Sequence, residues 1–188
     1  MLTKKKKLSR KEIKEDKLVT FYYKTRDLLE EFQKNIFIGI GIAAAIGLLV
    51  YFFIQHKKTN NEKASIELTR VMNVYDSGNY TESIEGIPSS KILGLKKIVE
   101  LYSGSENGET ARIYLANAYY FIGKFDDAMK SYEDYSGSND LFKATAYAGQ
   151  AGCYEAKKDY ESAAKYYLKA SSVTKANVLN PQYLIKSP

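Results

Sequence analysis

Residues 36–54 read IFIGIGIAAAIGLLVYFFI and hold no charged side chain. As a helix at about 1.5 Å per residue, the run covers roughly 28 Å, close to the hydrocarbon thickness of a bilayer. A core helix of that length in a soluble domain keeps a polar stripe for solvent, and this stretch has none. It reads as a transmembrane helix. It does not read as a cleavable leader, because it starts after 35 residues and is followed by Gln55, His56, Lys57 and Lys58. A leader has a shorter apolar core and a small-residue cleavage site. Tyr51, Phe52 and Phe53 stand near the exit end, where aromatic rings suit the interface. Lys57 and Lys58 can reach the headgroups from there.

Working outward, residues 1–35 form a basic tail with eleven Lys or Arg against six acidic side chains. Only Lys57, Lys58 and Lys63 follow closely after the span. The excess of Lys and Arg before the span predicts a cytoplasmic N-terminus and a C-terminal domain outside. The bilayer is thus one expected partner, through the span and through anionic lipid attracted to the tail. A solvated tail that only sets topology fits the composition equally. Residues 59–188 carry fifteen basic and sixteen acidic side chains, so the net charge of +6 belongs to the tail and membrane edge. A nucleic-acid-binding domain bears its basic patch on its own surface, so no nucleic-acid partner is expected. From Asp16 to Asn35, Leu18, Tyr22, Leu28, Leu29 and Phe32 fall at helical spacing, with Lys24, Arg26, Glu30 and Glu31 elsewhere. This predicts an amphipathic helix, lying on the membrane surface or docked on a partner.

Beyond the span, residues 111–135 (ARIYLANAYYFIGKFDDAMKSYEDY) overlay residues 146–170 (AYAGQAGCYEAKKDYESAAKYYLKA) at an offset of 35. The matched pairs are Ala116 with Ala151, Tyr119 with Tyr154, Phe125 with Tyr160, Ala128 with Ala163, and Tyr132 with Tyr167. Small residues let paired helices approach, and the rings fill the wider gaps. Gly123 suits the left-handed residue that ends a helix. Lys158 takes the same place in the second unit, at some expense in stability. The extra residue of the period falls in the Ser136–Asp140 loop. The pattern resembles the tetratricopeptide repeat, whose period is about 34 residues. The expected fold is all-α: one transmembrane helix followed by a short α-solenoid of helical hairpins. The expected divisions are a tail at 1–35, the span at 36–54, a juxtamembrane linker at 55–62 and an extracytoplasmic repeat domain at 63–188.

An earlier, degenerate unit starts near Asn61, turns at Ser77-Gly78-Asn79, and restarts at Tyr80. Gly78, Tyr80 and Ser83 match the turn glycine, aromatic and small positions. Gly86, Ile87 and Pro88 cut the second helix short. After Ser89 and Ser90, the positions Leu95, Ile98, Val99 and Tyr102 predict a linking or capping helix. At the other end Asn180 and Pro181 open a helix that Tyr183, Leu184 and Ile185 barely extend. Either the solenoid continues past Pro188, or Tyr183–Ile185 caps the second unit.

A basic tail, one span near residue 40 and an extracytoplasmic repeat domain containing YDSGNY and GETARIYLANAYYFIGKFDDAMKSYE resemble the YfgM-like ancillary subunits of the bacterial Sec translocon. The resemblance covers most of the chain. It implies a single-pass protein of the inner (cytoplasmic) membrane with a periplasmic C-terminal domain. It implies protein partners among translocon subunits, periplasmic chaperones or emerging polypeptides. The alternative is a structural scaffold for envelope or outer-membrane assembly complexes.

No catalytic constellation stands out, so no enzyme activity, cofactor or metal site is expected. His56 is the single histidine and lacks partners for metal or base chemistry. Cys153 is the single cysteine. It sits in the small-residue run AGQAGCYEA and reads as a packed side chain rather than a reactive thiol. Asp126 and Asp127 read as the negative start of a second helix. On a repeat array the concave groove is lined by the first helix of each hairpin. That places Ile113, Asn117, Tyr120, Phe121, Ala148, Gly152, Glu155 and Ala156 as the partner-binding positions, with the Asn117 amide suited to a peptide backbone and Tyr120 to a rigid amphipathic contact. Within the span, Gly39, Ala43 and Gly47 form a small-residue seam suited to a second transmembrane helix.

Overall fold

The computed structural model describes residues 10–173, the side chains of residues 10–16, 27–31 and 36 excepted. The expectations for the side chains of Leu28, Leu29, Glu30 and Glu31, and for Asn180–Ile185, lie outside the described residues. The described chain is helical. Its elements are α1 (Arg10–Asp76), α2 (Tyr80–Glu85), α3 (Leu95–Tyr102), α4 (Glu106–Phe121), α5 (Phe125–Glu133), α6 (Asp140–Ala156) and α7 (Tyr160–Ser172). Two short strands, β1 (Gly86–Ile87) and β2 (Ile92–Leu93), lie between α2 and α3. Two compact units divide inside α1, the first Met1–Phe53 and the second Ile54–Pro188.

In the first unit, α1 is long and apolar enough to cross a membrane. Its apolar side chains from Phe37 to Ile54 are exposed on every side, from 50% at Ile38 to 71% at Phe53. An apolar surface that encircles a helix has no stable home in water, whereas hydrocarbon satisfies it completely. A core helix of a soluble domain would have these same side chains covered.

Residues 55–62, expected as a linker, are helical and belong to α1. They contain no Gly or Pro to end a helix. Asn61 fastens this stretch to the start of α4. Its side-chain oxygen accepts from the backbone N–H of Asn107 at 2.7 Å, and its carbonyl accepts from the Asn107 amide at 3.2 Å.

In the second unit, the last turns of α1 become amphipathic: Ala64, Leu68, Val71 and Val74 are buried. Leu68 and Val71 join Ile84, Leu95, Ile98 and Leu115 in a first core cluster. A second cluster gathers Ile113, Ala116, Ala128, Tyr132 and Cys153 between α4, α5 and α6. A third gathers Ala144, Ala151, Ala163, Tyr167 and Ala170 between α6 and α7. Each helix therefore shares its apolar face with the next, as helical repeats do.

The same turn closes three successive hairpins. Gly78, Gly123 and Lys158 adopt left-handed φ values of 77°, 77° and 64°. The N–H of each donates to the carbonyl three residues back, on Tyr75, Tyr120 and Glu155, at 2.9–3.0 Å. The next N–H reaches five residues back, to Val74, Tyr119 and Tyr154, at 2.9–3.2 Å. This pair of bonds satisfies carbonyls that a helix end leaves open. The small positions agree too: Val71, Ala116 and Ala151 are fully buried at 0% exposure, as is Ser83, with Ala128 at 0% and Ala163 at 2%. The first hairpin precedes the second by 45 residues rather than 35. The difference is filled by β1, β2 and α3.

That insert contains a hairpin absent from the sequence expectation. Gly86 pairs with Leu93 and Ile87 with Ile92, and Pro88–Ser90 form one tight 3-10 turn. Gly86 has φ 90°, and Gly94 lies against it. A Cβ at Gly94 would collide with the Ile84 carbonyl and the Glu85 backbone. Two glycines are needed here because backbone meets backbone.

Candidate functional site

The eight positions expected to line a groove do not form one open surface. Ile113 is 2% exposed and belongs to the second core cluster. Gly152 is buried, and a Cβ there would sit 3.3 Å from the Tyr120 ring. Ala148 is half-buried against the third cluster. Asn117 accepts from the Tyr132 hydroxyl at 2.6 Å and also bonds the Tyr75 hydroxyl. Its amide bridges the first two hairpins and does not stand open to a peptide. Glu155 accepts from the Tyr167 hydroxyl at 2.6 Å. Tyr120 is half-buried, edge-on to Phe125 at 5.3 Å. Only Phe121 and Ala156 of the eight are exposed. The reason is geometric: these side chains pack within their own hairpin, as Glu155 does on Tyr167, or on the neighbouring one, as Gly152 does on Tyr120.

What remains open lies beside the turns. Phe121 is 57% exposed and stacks on Tyr80 at 4.8 Å. The rings continue from Phe121 to Tyr120 and Phe125, and from Tyr80 to Tyr75 and Tyr114, all within 6.2 Å. This aromatic band runs across α1, α2, α4 and α5. The Tyr75 and Tyr120 phenols stay neutral at physiological pH. Burial pushes Tyr75 up to about 12, and desolvation raises Tyr119 and Tyr120 as well. Tyr132 and Tyr167 are also raised, chiefly by burial. The band therefore offers apolar faces and hydroxyl donors rather than charge.

Gly39, Ala43 and Gly47 share one exposed face of α1, and a Cβ at Gly39 or Gly47 would meet nothing within 4 Å. The seam is open. Cys153 is fully buried, and burial pushes its thiol up to about 11, which leaves it unreactive. His56 is bonded to the Asn60 side chain at 3.3 Å. Asp126 and Asp127 open α5, with Asp126 paired to Lys157 at 2.5 Å.

Two polar features escaped sequence reasoning. Glu109 is 3% exposed, yet both its oxygens are engaged. It accepts from the Ser136 N–H at 2.9 Å and the Gly104 N–H at 3.3 Å, and pairs with Arg112 at 3.3 Å. It ties the loop before α6 to the start of α4. Lys169 places its ammonium 4.1 Å from the Tyr166 ring centre and 5.7 Å from that of Tyr147. A Glu in the run GET and a Lys in YLKA look like solvated positions until the neighbouring elements are in place.

No protein-family model matches the chain, and comparison with curated proteins and with solved structures finds no match.

Proposed function

We propose that this is a single-pass membrane adaptor whose tetratricopeptide-like hairpin array binds other proteins outside the cytoplasm. The supporting observation is α1 itself. One helix carries a charge-free stretch exposed all round and then supplies the first helix of the array. A binding module held at a membrane acts on what passes beside that membrane. The excess of Lys and Arg before the span supports an N-terminus in the cytoplasm and an array in the periplasm. On the resemblance to translocon ancillary subunits, the partners are channel subunits, a chaperone or an emerging chain. The aromatic band around Phe121 supports a protein ligand, since rigid rings with polar tips dominate protein contacts.

Topology is tested by a Ser138→Cys variant, which adds an exposed thiol beside a buried native one. A membrane-impermeant maleimide added to intact spheroplasts should label it. Labelling only after lysis would place the array in the cytoplasm and end the proposal. Partners are tested by a photocrosslinking residue at Phe121 or Ala156 in intact membranes. Channel subunits or nascent chains among the products support the translocon reading. Envelope assembly proteins alone would move the protein to a scaffold role.

A further inference from the structure

The insert between the first two hairpins builds a pocket that the adaptor reading does not use. It measures about 460 Å³ and is lined by Pro88, Ile92, Leu93 and the start of α3. That is within the usual size range of ligand pockets, about 300–1,000 Å³. Its walls are fixed by the backbone contact of Gly86 with Gly94 and by the β1–β2 ladder.

The charges around the rim do not cancel. Lys96 faces Glu85 at 4.0 Å and Lys97 pairs with Glu100 at 2.7 Å. Lys91 is the remaining rim cation, exposed and without a carboxylate partner among the described residues. It is also held at φ 55°, a conformation that a non-glycine residue adopts only at a cost. A strained residue carrying the one uncompensated charge beside an apolar pocket suits a ligand with an apolar body and a single negative end.

We propose that this pocket binds the carboxyl-terminal end of a polypeptide, with one or two apolar side chains in the pocket and the terminal carboxylate on Lys91. Among the described residues the outer edge of β2 has no strand partner, and an extended chain can use such an edge for backbone hydrogen bonds. An acyl chain has no use for it. Ile92 and Leu93 are half-buried against the first core cluster and line the pocket with their remaining apolar surface. The inference concerns the insert alone and stands whether or not the aromatic band binds a partner.

The test uses the full chain in detergent and a fluorescein-labelled hexapeptide ending in Val-Leu-Phe with a free carboxylate. Fluorescence anisotropy should show saturable binding. Amidating the terminus should weaken it about fivefold, the worth of one partly screened ion pair. Lys91→Gly should weaken it by the same factor while leaving the helical signal and unfolding midpoint equal or higher, because glycine accepts the local φ. The amidated peptide should bind Lys91→Gly and the unaltered chain alike. Leu93→Ser, checked for folding by circular dichroism, should weaken both peptides. Equal binding of acid and amide would overturn the proposal. So would unchanged affinity in Lys91→Gly, no peptide binding at all, or dodecanoate displacing the peptide at lower concentration than the unlabelled peptide does.

Discussion

The two ends of α1 present different surfaces. From Phe37 to Ile54 its apolar side chains point in every direction and are all at least half exposed. From Ala64 to Val74 the buried residues recur every three or four positions, and the exposed positions between are polar apart from Ile66. Backbone geometry is the same in both. Only the pattern of side chains differs: one end is long and apolar enough to cross a membrane, and the other suits a protein core.

That contrast can be broken by pairs of substitutions. The largest effect is expected at Leu68, which is 8% exposed in the first core cluster. Leu68→Ala should destabilise the array by about 2–5 kcal/mol. Leu48→Ala, at 59% exposure in the span, should leave the array's denaturant midpoint unmoved. Next comes charge. Ile46→Arg should penalise membrane insertion by about 2.5–3.5 kcal/mol, read as a rise in the uninserted fraction. Ile66→Arg, 54% exposed on the other end of the same helix, should change stability by no more than about 0.5 kcal/mol.

Glycines sharpen the comparison further. A Cβ at Gly149 would run into the buried Tyr132 ring, whereas one at Gly47 meets nothing within 4 Å. Gly149→Ala should therefore cost the array about 1–3 kcal/mol by overpacking, measured by urea unfolding. Gly47→Ala should leave that unfolding unaltered, and any fall in co-purification of membrane partners would locate the seam's contact. The smallest expected effect is a gain. Lys158→Gly relieves the one left-handed non-glycine among the three equivalent turns, and should raise stability by about 0.5–1 kcal/mol.

Much of this was readable from residues alone because the signals are local. The span needs only composition and length. The turns at Gly78, Gly123 and Lys158 need only spacing, and Lys158 is left-handed as its alignment with Gly123 requires. The repeat positions Ala116, Ala128, Ala151 and Ala163 are small because they are buried, and an offset of 35 reveals them. What escaped is non-local or too short. Strands of two residues, such as Gly86–Ile87 and Ile92–Leu93, have no period to detect. Residues 55–62 hold no helix breaker, so backbone preference carries the helix through the expected linker. The exposure of the groove positions escaped for a third reason. Whether Asn117 is open or bonded depends on Tyr75 and Tyr132, which belong to other helices.

Alkaline pH separates the two regions a second way. Burial lifts Tyr75 from 10.0 to about 12 and Cys153 from 9.0 to about 11. The unfolded chain releases these protons first, so their contribution to stability is intact below pH 9 and is lost as pH rises through 11 and 12. The array should therefore loosen above pH 9, seen as a falling urea midpoint. The stretch from Ile36 to Ile54 holds no charged side chain.

Extraction of membranes with alkaline carbonate uses that separation directly. Any attachment made through the folded array weakens at that pH, while a helix crossing the hydrocarbon does not. The account predicts that the chain stays with the membrane pellet after extraction. Recovery of the chain in the carbonate supernatant would contradict it.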